Sequence, residues 1–424
     1  MGRPAVVLTT LGSLGDLYPV LAVARALDRA DVDVRLALSP EDCVMARRWG
    51  LSADPVGPSQ AEMCDRLGLS RDAIAAAVLR DPSQMVRDVL IPMLPDLVAQ
   101  LMPLLNGAGG VAGTTFALHG PLAAERAGLP FVPLILQPMM TFSSLDPPRA
   151  AQFRLMVPRP TGLATRGWNR AIMGLGRALL RRKHLERLNA VRRDLNLPKH
   201  HGTPLLDPGP ADVPLRLGLW SPEFSPAPPD GPTGLDVIGF PPAPDGDLPQ
   251  TVETWIGAGP APLVVTLGSI AQSLGRGDFW TEALALARLL GLRAILLHGE
   301  AKVPAGPDLL ALPYAPHAAL FPRAAAILHH GGIGTTAEAI RSGRPQLVVP
   351  VGGDQPDNAA RLERLGLAAT LPIARFQARC AHGLLRDLLA RFDDAAAGDL
   401  ARRVRAEDGA QRAALALAEI ASLR

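Results

Sequence analysis

Short apolar runs alternate with amphipathic stretches along most of the chain. AVVLTT (5–10) reads as a buried strand, and apolar residues at three-and-four spacing follow over 18–30. DVRLALS (33–39) and LPFVPLILQP (129–138) are strand-like, and 166–196 is a long basic amphipathic helix. Strands alternating with helices predict a parallel, doubly wound sheet. Between 204 and 261 proline recurs too often for a helix or a central strand, so this stretch reads as an ordered connector. Alternation resumes at 262–269, 292–299, 324–330 and 345–351, then gives way to a helical tail from 401 to 424. The expected organisation is α/β, with two doubly wound Rossmann-like domains (1–203 and 262–400) facing across a cleft. In such sheets ligands sit beyond the carboxyl ends of the strands, which directs attention to the loops that follow them.

A chain of 424 residues is long enough for two cores. Its net charge of +3, nearly all from arginine, excludes a dedicated nucleic-acid binder. Cys43, Cys64 and Cys380 match neither a zinc spacing nor a disulfide framework. A reducing cytoplasm is the expected location. The apolar N-terminus breaks on glycines and Asp16, unlike a signal peptide. No uninterrupted apolar run reaches the roughly 18 residues of a spanning helix.

The most informative stretch is HHGGIGTTAEAI (329–340), in which two histidines and a glycine turn open a helix. Bare N–H groups and the positive end of the helix dipole suit an anion there, with Thr335 and Thr336 as further donors. The plainer reading is a tight turn capped by Thr335. One strand later, VGGDQPDNAA (351–360) places Asp354 and Gln355 on the same rim, where they suit vicinal sugar hydroxyls. Helix capping by Asp354 or Asp357 is the alternative.

From Tyr314 to Asn358 the chain resembles the donor-binding signature of inverting UDP-glycosyltransferases with the two-domain GT-B fold. YAPH (314–317) stands for W-x-P-Q, with tyrosine in place of the usual tryptophan. His330, Glu338 and the Asp354–Gln355 pair stand for the histidine, glutamate and terminal pair of the family pattern. The resemblance implies that His330, Gly332, Gly334, Thr335 and Thr336 hold the diphosphate, with Ser269 as a further phosphate contact. It implies Glu338 on the ribose, Tyr314 under the base, and Asp354 and Gln355 on the donor sugar. It also implies that the C-terminal helix returns to the first domain.

GSLGDLYP (12–19) is similar to the N-terminal loop of the same family, within a subgroup of glycopeptide, sterol and rhamnolipid-type glycosyltransferases that has aspartate where many relatives have histidine. By that resemblance Asp16 is the general base for an acceptor hydroxyl and Ser13 sits beside the acceptor. A free aspartate, with a pKa of about 3.9, is a weak base for an alcohol unless burial raises it. Capping of the following helix is the alternative role. His119 is a second polar candidate, and Phe116, Met139, Met140 and Phe142 are candidate linings for an apolar acceptor.

The expected reaction is metal-independent transfer of a hexose, glucose first, from a UDP-sugar to a small apolar acceptor, with no cofactor. Glu338 favours a ribose over a deoxyribose. The alternatives are a dTDP-rhamnose-dependent enzyme acting on a lipid and a non-catalytic partner protein. The basic stretch 166–196 is a candidate for peripheral membrane contact, its plainer reading being a solvated helix. An NAD-linked oxidoreductase would need G-x-G-x-x-G after a strand, which GSLGD does not supply.

Overall fold

The computed structural model describes residues 5–150, 153–207, 215–244, 246–268 and 277–422. They fall into two compact units, Met1–Pro242 with Asp408–Arg424, and Ala243–Glu407. The first contains β1 (Ala5–Thr9), β2 (Asp33–Leu38), β3 (Ala53–Pro55), β4 (Ala108–Thr114), β5 (Phe131–Ile135), β6 (Arg216–Gly218) and β7 (Leu235–Val237). All pair in parallel, in the order β3-β2-β1-β4-β5-β6-β7. The second unit contains β8 (Leu263–Thr266), β9 (Ala294–Leu297), β10 (Leu309–Leu312), β11 (Ala326–His329), β12 (Gln346–Val348) and β13 (Ala368–Thr370), ordered β10-β9-β8-β11-β12-β13 and again parallel. Each sheet reverses its winding once, at β1/β4 and at β8/β11. The loops beyond those four strands are therefore the ligand positions of a doubly wound sheet.

Both sheets are covered on two faces, so their central strands are continuous apolar runs, with Leu263, Val264 and Val265 inaccessible to solvent. β4 is the exception, because its sequence AGGVAGT offers little side chain to bury. The helix Gly409–Ser422 packs on it, and a Cβ added at Gly109 would strike the Ala421 backbone. The glycines thus admit a helix at close range.

Two expectations need correction, and a third, that no uninterrupted apolar run reaches spanning length, stands because Arg87, Asp88 and Asp96 interrupt the most apolar helix. The proline-rich stretch is not a connector throughout: it supplies β6 and β7, whose own residues RLG and LDV contain no proline and so keep every N–H for the sheet. The first unit runs to Pro242, and the helix Asp394–Ala406 stays with the second unit, so the return to the first begins at Asp408 rather than at 401. Finally, Pro82–Leu105 forms a helical run of 24 residues with the length and apolar composition to cross a membrane. Its Ile91, Leu94, Leu97, Val98 and Leu101 are buried in the core of the first unit.

Candidate active site

In the second unit β11 delivers His329 and His330 to the switch point. Gly331 follows with φ +90, and Gly332 is the N-cap of the helix Ile333–Ser342. Only glycine meets the first demand, and a Cβ at Gly331 would also press on Val348 at 2.9 Å. No side chain caps this helix, so the amides of its first turn stay open to an anion.

The His330 ring lies between two glycines. A Cβ at Gly268, just beyond β8, would fall 2.5 Å from its Cε1. A Cβ at Gly332 would fall 3.1 Å from Cε1 and closer still to Nε2. Among the described residues, His330 Nδ1 and Thr336 Oγ1 are buried polar atoms with no hydrogen-bond partner. Burial first, then the neighbouring His329 and His317, lowers the pKa of His330 to about 3. The ring is therefore neutral, with one N–H to donate.

The neighbouring histidine has a different task. His329 Nδ1 accepts the Gly331 N–H at 3.2 Å, so its other nitrogen carries the proton and donates to Gln346 Oε1 at 3.0 Å. It braces the glycine turn from inside the sheet. His317, at the end of the YAPH element, is stacked on Phe321 at 4.4 Å, and burial lowers its pKa to about 4.

The loop after β12 is tied to this turn by Asn358, which the sequence reading did not single out. Its Nδ2 donates to the Gly331 carbonyl at 2.9 Å and to Asp354 Oδ2 at 2.7 Å. Gln355 uses its Oε1 on the N–H groups of Val351 and Gly352, leaving its amide NH₂ for other partners. Glu338 is buried and paired with Arg341 at 2.5 Å, while Tyr314 is 60% exposed and offers its ring to a flat partner. Partial burial first, and the Glu338 charge second, raises the Tyr314 phenol above its ordinary pKa, which places the two in one neighbourhood. Gly334 has open space where a Cβ would stand, and Thr335 is buried beside it. Ser269 lies outside the described residues.

In the first unit β1 leads to Ser13, the N-cap of the helix Leu14–Arg29. Its backbone N–H and hydroxyl both donate to Asp16 Oδ2, at 2.8 and 3.1 Å. Gly12, at φ +153, gives the carboxylate room to fold back. Asp16 does cap the helix, but with one oxygen. Burial, partly offset by the Ser13 hydrogen bonds, raises its pKa to about 6.

His119 does not join it. Thr9 Oγ1 donates to the Ala37 carbonyl at 3.0 Å and so accepts Nε2–H of His119 at 2.8 Å. The remaining His119 nitrogen is buried. Through Nε2 this histidine pins the helix His119–Ala127 to the end of β1, while its Nδ1 has no hydrogen-bond partner. Phe142 is likewise not a lining residue, because it packs edge-on against Phe153 at 5.3 Å in a small core with Met156 and Met173. Phe116 packs against the main core of the unit, while Met139 and Met140 remain half-buried in the turn after β5. Among the described residues no group of three or more His, Cys, Asp or Glu side chains is placed to hold a metal ion.

Two doubly wound units, one with an open helix N-terminus at its switch point and one with a raised-pKa carboxylate, have the architecture of the GT-B fold. The fold is shared with the crystal structure of the glycosyltransferase VinC in complex with DTDP, at a TM-score of 0.65 and 22% identity over 99% of this chain and 100% of that one. Residues 294–421 match the C-terminal domain of the erythromycin biosynthesis protein CIII-like family. It is 29% identical to O-mycaminosyltylonolide 6-deoxyallosyltransferase of Streptomyces fradiae, over 99% of this chain and 98% of that protein. Identity to the vancomycin aglycone glucosyltransferase of Amycolatopsis orientalis is 28%, over 85% and 84% of the two chains.

Proposed function

We propose that the protein transfers a hexose, with inversion, from a UDP-sugar to a hydroxyl of an apolar natural-product acceptor. The observation that carries this reading is the His330 ring, seated between two glycines at an uncapped helix N-terminus with a buried nitrogen free to bind. As the sugar–phosphate bond breaks, the diphosphate gains charge. His330 N–H, the Thr336 hydroxyl and the first-turn amides are fixed donors that need no reorganisation to meet it. Asp16 takes the proton of the acceptor hydroxyl as that oxygen bonds to the anomeric carbon. Its raised pKa makes it a stronger base than a free aspartate while leaving it ionised at pH 7. Asp354 and the NH₂ of Gln355 hold the sugar hydroxyls, and the reaction is expected to run in the presence of a chelator.

Uridine rather than thymidine is favoured by Glu338, a buried carboxylate locked by Arg341 beside Tyr314 and suited to accept two ribose hydroxyl protons. A thymidine-linked donor is the second reading, favoured by the DTDP bound to VinC. Calorimetric titration with UDP and dTDP separates them. On the uridine reading UDP binds more tightly, and Glu338→Ala weakens UDP by roughly tenfold, the worth of a hydrogen bond to a charged group, while leaving dTDP unchanged. Tighter dTDP binding that is insensitive to Glu338→Ala moves the protein to the second reading.

A further inference from the structure

We propose that the outward face of the helix Leu163–Asp194 docks on an anionic lipid surface. Three observations converge on it. The segment from Pro147 to Leu185 holds nine of the chain's 43 cations and none of its 40 acidic residues, a local excess that the net charge of +3 conceals. Among the described residues, five of the twelve exposed large apolar side chains belong to the same short segment: Leu155, Leu163, Trp168, Leu175 and Leu179. Of these, Trp168 and Leu175 share one helix face with Ala164, Ala171 and Ala178, which follow at intervals of three and four residues. All five of these positions are exposed.

The opposite face accounts for the packing of the helix. Asn169, Met173, His184 and Leu188 are buried, with Asn169 donating to the Ser144 carbonyl at 3.0 Å and His184 Nε2 on Ser83 Oγ at 2.9 Å. On the outward stripe Trp168 ties down the preceding loop, its Nε1–H donating to the Leu155 carbonyl at 2.8 Å, while its ring and Leu175 remain exposed. Along one flank run Arg166, Arg170 and Arg181, and Arg182 with Lys183 closes the end, whereas Arg177 on the same row turns to Asp207 at 3.6 Å and to the Phe142 ring. An apolar stripe carrying an indole, flanked by arginines on one side and without a carboxylate before Glu186, is the pattern of a helix lying in a bilayer interface, with its cations at headgroup level. A second copy fits less well, because neither copy would offer a counter-charge to the other's arginines across a two-fold contact.

The test is co-sedimentation of the full chain with vesicles of phosphatidylcholine alone or mixed with phosphatidylglycerol, at low and high salt. Binding is expected to the anionic vesicles, at least about tenfold tighter than to the neutral ones, and to weaken with salt. Arg166→Ala, Arg170→Ala and Arg181→Ala should each lower it roughly fivefold. Leu175→Gln with Leu179→Gln should abolish it while leaving UDP affinity intact, which shows that the variant is folded. No binding to anionic vesicles, or binding that the double variant retains, overturns the proposal. So does a self-association of the wild type, seen by sedimentation velocity, that the double variant dissolves, since the stripe would then serve a second copy.

Discussion

Replacing Gly332 by alanine isolates the seating of the His330 ring. At φ −61 and ψ 144 the Gly332 backbone suits alanine, so the added methyl brings no torsional strain. Its effect is steric. The new Cβ would lie 3.1 Å from Cε1 and 3.3 Å from Cδ2, with Nε2 nearer still, whereas carbon contacts settle at about 3.5–4.0 Å. The ring cannot retreat the other way, because Gly268 already marks close approach on that side. It must swing by about 1 Å, enough to misalign a hydrogen bond. A hydrogen bond to a charged group is worth about 1.5–3 kcal/mol, so UDP should bind roughly 10- to 150-fold more weakly. The helix loses no side-chain cap, and exchanging glycine for alanine at an N-cap costs about 1 kcal/mol or less of stability. Calorimetry on the wild type, Gly332→Ala, His330→Ala and the double variant closes the cycle. The methyl should have little further effect once the ring is gone. Undiminished UDP binding in Gly332→Ala, or the same loss in the His330→Ala background, would refute the role given to the glycine.

Asp16→Asn should bind UDP normally and lose about 10²–10⁴-fold in transfer rate, the usual worth of a general base. In the wild type kcat/KM should fall with unit slope below about pH 6, where Asp16 takes up a proton, and a profile flat to pH 5 would count against it. His119, His317, His329 and His330 are buried neutral, with pKa values lowered to about 4, 4, 4 and 3. Their folded values lie below the unfolded value near 6.5, so the stability they contribute is fully present above that pH and lost as the pH falls. Each that stays neutral removes about 1.4 kcal/mol per pH unit, and urea midpoints that hold steady from pH 7 to 4.5 would contradict this. Asn358→Ala leaves the Gly331 carbonyl without its side-chain donor and should cost about 1–3 kcal/mol of stability. It should also weaken UDP binding, and an unchanged melting temperature would show that the two loops hold without it.

Four strands of the second unit, β8, β9, β11 and β12, were legible because buried parallel strands are plain apolar runs, as in VVTL and AILH, whereas the outer strands β10 and β13 were not. β4 was hidden by its own glycines, which imitate a turn when the helix they accommodate is hundreds of residues away. β6 and β7 were hidden because each is only three residues long, set between prolines that lie outside the strands. At the site His330, Asp354 and Asp16 carried local signatures. Gly268 and Asn358 did not, since what each does is defined by a contact with a loop elsewhere in the chain. The burial of His119 against Thr9 was not legible, because an interior histidine and a surface one look alike in a sequence.

The return of the last helix to the first unit bears on how the chain is made. Ala410, Ala413, Ala414, Leu417 and Ala421 complete a core begun by Val6 and Leu8, and the intervening residues build the second unit entire. A ribosome adding about 5–20 residues per second finishes Pro242 well before Ser422, leaving the first sheet open on one face for roughly 10–35 s. The nascent chain must shelter that face, and an early stop near the C-terminus should release a protein whose second unit is folded and whose first is prone to aggregate.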